Sequence, residues 1–152
     1  MTTSIAEMSI GYQQVVEALG DAVVICDRDG VIRVWNVAAE RLFGFTKTDA
    51  LGKSLDLIIP ERLRQRHWAG YDKAMASGET RSGRDLLRVP ALHKDGRTLS
   101  IAFTVGLLFG PEGKVTGIAA VIRDDSEHFE QEQELRRIFA DENELRRALA
   151  EI

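Results

Sequence analysis

Residues 97–109, RTLSIAFTVGLLF, set Leu99, Ile101, Phe103 and Val105 in alternation with Thr98, Ser100, Ala102 and Thr104. A period of two sends every second side chain to the same side, so this run is a strand with one face buried. A strand of that length needs partners. The turn His93-Lys94-Asp95-Gly96 precedes it, and Gly110-Pro111-Glu112-Gly113 leads out into VTGIAAVIRD, a Val- and Ile-rich strand over 115–124. Upstream, 84–92 (RDLLRVPAL) reads as extended, but Pro90 has no N–H for a ladder and assigns it to an edge or a bulge. Two β-branched runs, 22–26 and 31–35, flank Asp27-Arg28-Asp29-Gly30, whose glycine supplies the positive φ of a hairpin turn.

Helices fill the gaps. Asn36 stands as a cap before VAAERLFGF, which turns Ala39, Leu42 and Phe43 inward and stops at Gly44. Thr46 or Thr48 caps the next short turn, which ends at Gly52, and Pro60 suits the first turn of a helix running to Gly78. Ahead of the hairpin, Ile5, Met8, Tyr12, Val15, Val16 and Leu19 fall at helical spacing over 4–19 and predict an amphipathic lead-in helix. Behind the last strand comes a charged exit helix with Leu135, Ile138, Leu145, Leu149 and Ile152 at 3-4 spacing, interrupted by Glu142. Fewer than three clean heptads leave two readings, packing on its own domain or pairing with a second chain. The expected organisation is 1–20 lead-in helix, 21–125 domain and 126–152 signalling or dimerisation helix. Its class is α+β, one antiparallel sheet covered by helices on one face.

Composition narrows the function. The 152 residues suffice for one domain with a core, no apolar run approaches the roughly 20 residues that span a bilayer, and the N-terminus lacks a secretion signal. A cytoplasmic protein without a membrane partner is expected. The lone Cys26 excludes an intramolecular disulfide and a Cys-based zinc site. Eight acids and four arginines lie in 126–152, leaving 16 of each sign elsewhere, so no basic surface for nucleic acid stands out. Asp27, Asp29, Asp124 and Asp125 sit at turns and strand ends, and no Ser-His-Asp set, phosphate loop or HExxH pattern occurs; no enzyme is expected. His93 and His128 read as exposed.

His67 differs. Leu63, His67, Tyr71, Ala74 and Met75 form one stripe of the 60–78 helix, with Glu61, Arg62, Arg64 and Lys73 mostly off it. Its imidazole therefore meets apolar neighbours, where a heme iron is one good partner for a ring nitrogen, and a main-chain carbonyl with a water is the other.

Taken together, AVVICDRDGVIRVWNVAAERLFGF (22–45), Gly52 followed by LIIPERLR (57–64), KDGRTLSIAFTV (94–105) and AAVIRDDSE (119–127) resemble a PAS domain over about residues 9–128. The resemblance implies a five-stranded sheet in the order 2-1-5-4-3 with helices framing a pocket on its inner face. It implies a sensor or dimerisation unit, a homodimer, and an output that lies in another protein or another part of a longer one.

In the heme-binding PAS domains of oxygen-sensing kinases and phosphodiesterases the proximal histidine occupies this helix, and His67, 28 positions before Asp95, matches that separation. The resemblance thus implies heme b ligated by His67, with Tyr71 beside it and Lys73 and Arg81 near the propionates. Phe103 and Val105 are then apolar distal residues. Leu87 stands where relatives often carry an arginine donor to bound oxygen, and Asp85 where some supply a methionine ligand. Losing such a charge-assisted bond, worth about 1.5–3 kcal/mol, favours carbon monoxide or nitric oxide. The signal would pass from the strands of Leu87, Phe103 and Val105 through Asp124 and Asp125 to the exit helix. Two other outcomes are a cofactor-free dimerisation module and a flavin (FAD) site bordered by Trp35, Asn36 and Trp68. Cys26, in the first strand, is not the cysteine of the light-sensing Asn-Cys-Arg-Phe helix motif.

Overall fold

The computed structural model describes residues 9–150. In chain order it contains α1 Tyr12–Ala18, β1 Ala22–Asp27, β2 Ile32–Trp35, α2 Val37–Phe43, α3 Lys47–Ala50, a 3-10 turn Leu55–Ile58, α4 Glu61–Ser77, β3 Leu87–Leu92, β4 Thr98–Phe109, β5 Val115–Asp124 and α5 Ser126–Ala150. The five strands form one sheet in the order β2-β1-β5-β4-β3. Every pairing is antiparallel, with Val24 opposite Trp35, Val24 opposite Ala120, Val105 opposite Ala120 and Leu87 opposite Phe103. β3 is an edge strand, which is where Pro90 is tolerated.

The β1–β2 turn shows why Asp-x-x-Gly is written there. The Asp27 carboxylate accepts from the N–H of Asp29 at 2.9 Å and of Val31 at 3.0 Å, and holds the Arg33 guanidinium at 2.8 Å. Gly30 has φ 78°, and a Cβ there would overlap the Trp68 ring, so both turn and packing require glycine.

Asn36 ties three elements together while wholly buried. Its side-chain oxygen accepts from Ala39 N at 2.9 Å, capping α2, and from Val23 N at 2.9 Å in β1. Its amide donates to Val16 O at 2.8 Å and Asp21 O at 3.1 Å, anchoring α1. Thr46 rather than Thr48 caps α3, in a reciprocal box with Asp49. Around these sit Trp35, Phe43, Ile32 and Cys26, fully buried, with the Trp35 and Phe43 rings 5.3 Å apart.

Several boundaries move from the sequence reading. α1 begins at Tyr12, and Ile5 and Met8 lie outside the described residues. None of α1 is buried, Tyr12 being 65% exposed, because it is held by polar contacts of Asn36 and Glu17 rather than by its apolar stripe. β3 starts at Leu87 rather than 84 because turns occupy 81–84. Pro60 caps α4 instead of entering it. α5 buries no residue and leaves Leu135, Ile138, Leu145 and Leu149 exposed, so packing on its own domain is not the arrangement observed.

Candidate functional site

Between the sheet and α4 lies a cavity of about 490 Å³, within the range of small-molecule and cofactor sites. Strand alternation builds its floor: Val24 and Cys26 from β1, Ile118, Ala120 and Ile122 from β5, and Ile101, Phe103 and Val105 from β4. Val89, Pro90 and Ala91 of β3 close one side. Leu55, Ile58 and Ile59 of the 3-10 region and Leu63, Arg66, His67 and Tyr71 of α4 form the roof.

Around His67 the aromatic neighbours are locked. Trp68 donates from Nε1 to the Asp56 carboxylate at 2.7 Å, and the Tyr71 hydroxyl donates to the Asp27 carbonyl. The imidazole packs edge-on to Trp68, centroids 4.7 Å apart, and tilted against Tyr71 at 5.8 Å. Its own Nδ1 is enclosed by protein and has no hydrogen-bond partner. An unpaired buried polar atom costs about 1–3 kcal/mol and is rare in native proteins, so this one calls for a role. Burial holds the His67 imidazolium below its ordinary pKa, with Asp56 opposing, and the neutral ring is the metal-ligating form.

The rest of the lining offers no competing donor. Burial, aided by Asp27, pushes the Cys26 thiol up to about 12, so it stays protonated rather than a thiolate. Burial likewise raises the Tyr71 phenol, already engaged with Asp27. No cluster of three or more His, Cys, Asp or Glu able to hold a metal ion occurs among the described residues. A bare ion would lack ligands here. A macrocycle that brings its own four nitrogens needs only one protein donor and an apolar slot, and that donor set fits.

Of the residues expected from sequence to form the site, His67, Tyr71, Phe103 and Val105 line the cavity together. Lys73, Arg81 and Leu87 do not line it. Lys73 lies six residues past His67, about 240° around α4, and is exposed. Arg81 is exposed in the turn after Gly78, and Leu87 is half-buried opposite Phe103 at the start of β3. The sequence reading missed Arg66, the one charged residue on the wall. Its position three residues after Leu63 was a signal, since i and i+3 share a helix face. Trp35, Asn36 and Trp68, the flavin candidates, are outside the lining: the first two are core and the third covers Gly30. His93 is not exposed as expected but 15% accessible, its ring filling the space a Cβ on Gly44 would take. His128 is half-exposed and lies 3.2 Å from Glu132.

No helix among the described residues is long and apolar enough to cross a membrane. An uncharacterised protein of Azorhizobium caulinodans is 33% identical over 122 residues, 78% of this chain and 16% of that protein. The sensor protein FixL of Bradyrhizobium diazoefficiens is 28% identical over 121 residues, 76% of this chain and 23% of FixL. The oxygen sensor protein DosP of Escherichia coli is 29% identical over 117 residues, 77% of this chain and 14% of DosP. The chain thus spans less than a quarter of these relatives' length. The solved PAS domain of a Colwellia psychrerythraea protein superposes with a TM-score of 0.67 at 22% identity, covering 76% of this chain and 95% of that one. An RNA-binding light-oxygen-voltage receptor gives 0.73 at 18% identity over 91% of this chain and 39% of its own. Residues 11–124 match the family model of the PAS fold, and the chain belongs to the PAS family of sensory domains.

Proposed function

We propose that this PAS domain holds heme b through His67 and senses a diatomic gas or the redox state of its surroundings. The single observation that carries the reading is His67 itself, a histidine with no protein partner for its Nδ1 that takes part in a largely apolar cavity lining. Similarity to FixL and to DosP, the latter named an oxygen sensor, supports it. When bound, the iron would supply a site for a diatomic ligand and a one-electron couple. His67 would hold the group through a ring nitrogen. Ile101, Phe103 and Val105 exclude water, and none of the lining residues from the sheet's β3, β4 and β5 carries a hydrogen-bonding side chain. A wall without donors favours carbon monoxide and nitric oxide over oxygen, whose bound form draws more on a donor.

The route to output starts at the cavity. β3 and β4, which carry Val89 and Ile101 on the wall, also hold the entry to α5: Arg88 pairs with Asp125 at 3.1 Å, and Asp125 N donates to Ser100 O at 2.8 Å. Strain on these strands reaches α5 through Asp124 and Asp125, and the exposed Leu135, Ile138, Leu145 and Leu149 serve a homodimer. A free, buried Cys26 accords with a reducing cytoplasm.

Titration of the purified chain with hemin tests the reading. A Soret band that forms in the wild type and is lost in His67→Ala is expected; no band, or one indifferent to His67→Ala, overturns it. The second reading, a cofactor-free dimerisation module, is favoured by the exposed α5 stripe. It predicts a colourless dimer that refuses hemin and falls to monomer when α5 is removed. Flavin released on denaturation would indicate FAD instead.

A further inference from the structure

The roof of the cavity carries one cation at its rim. Arg66 lies between Leu63 and His67 on α4 and is exposed, although it also lines the apolar cavity. Nearby Arg64 is engaged, donating to the Ile59 carbonyl at 3.0 Å and the Asp56 carbonyl at 3.3 Å. No carboxylate lines the cavity, and Arg66 makes no ion pair within 4.0 Å among the described residues. A guanidinium standing free at the mouth of an apolar slot matches a ligand with an apolar body and an anionic head. The body leaves water against Ile101 and Phe103, while the head stays at the water boundary and meets the planar fork of donors. Entry in the opposite sense would bury the charge against hydrocarbon, which is far costlier.

We propose that the cavity selects an apolar molecule bearing a carboxylate and that Arg66 anchors it head-outward. The proposal extends the heme reading, since heme bears propionates, but the same chemistry is offered by a medium-chain fatty acid. Lys73, exposed on another face of α4, takes no part.

The test titrates the full chain and its Arg66→Gln and Lys73→Gln variants by absorbance with hemin and by calorimetry with dodecanoate. Hemin dimethyl ester and dodecanol serve as neutral counterparts. Expected is a loss of about five- to tenfold in affinity for the carboxylate ligand in Arg66→Gln, the scale of an exposed but bidentate ion pair. Lys73→Gln should match wild type, and the neutral counterparts should not distinguish Arg66→Gln from it. If hemin binds both wild type and Arg66→Gln equally, the anchor is refuted while the heme reading stands. If wild type refuses hemin yet binds dodecanoate in an Arg66-dependent way, the heme reading fails and the anchor stands. Equal losses for the neutral counterparts, or no binding of either acid by wild type, overturn the anchor.

Discussion

Replacing His67 by leucine should make the ligand-free protein more stable. Nδ1 is enclosed without a partner, so the substitution breaks no hydrogen bond to it and removes a desolvation penalty of about 1–3 kcal/mol. Leucine is close to histidine in size, suits the apolar wall of Ile59, Leu63 and Tyr71, and is the better helix former by a few tenths of a kcal/mol within α4. The sum is about 2 kcal/mol, which for a chain of this size raises Tm by roughly 4–8 °C. Thermal melts of ligand-free protein, with urea midpoints at unchanged m, measure it. A core histidine with both nitrogens satisfied gives the opposite sign, because its removal orphans a buried partner. A Tm lowered by several degrees would therefore refute the reasoning. A rise accompanied by loss of hemin binding would place His67 among residues kept for function at the expense of stability.

Asn36→Ala removes the α2 cap, worth about 1 kcal/mol, and leaves the buried Val23 N–H unpaired at about 1–3 kcal/mol more. A fall in Tm of roughly 6–12 °C is expected, and a loss no larger than the cap would show that the β1 contact contributes nothing. Cys26, protonated and 2% exposed on the cavity floor, should react with thiol reagents far more slowly in the native state than after unfolding; rapid native labelling would contradict its burial. Burial acts to raise the Asp27 carboxyl, but hydrogen bonds from Val31, Arg33 and Asp29 outweigh it and bring the net shift down. Its stabilisation is then full above the unfolded value of about 4 and is lost as pH falls through the lower folded value. Acid titration of wild type against Asp27→Asn should show a shallower low-pH loss in the variant, and parallel curves would rule out this linkage.

Legibility followed the range of the interaction. The Asp27–Gly30 turn, the Asn36 cap, a threonine cap at 46 or 48, the Gly44 and Gly78 stops and the alternation of β4 rest on groups within a few residues of one another, and these were readable. Pro90 at an edge was readable too, because a missing N–H restricts any ladder. Helix periodicity placed His67 and Tyr71 on one stripe; Arg66, three residues after Leu63, shares a face with it but was left out of a stripe traced through apolar and aromatic residues. The stripe of α1 had the right spacing and still found nothing to cover it.

Order along the chain, strand faces, the Gly44 and Gly78 helix stops and the stripe of α4 that carries His67 were legible in the amino-acid sequence alone, since backbone geometry and hydrophobic period act locally. Whether the His67 nitrogens would find partners was settled only in three dimensions. Asp27 meets Tyr71 across a separation of 44 residues and Asp56 takes Trp68 across 12, so the groups that fix the ring's aromatic neighbours come from distant parts of the chain. Which hydrogen bonds remain unmade depends on distances that exist only once the sheet and α4 have closed on each other.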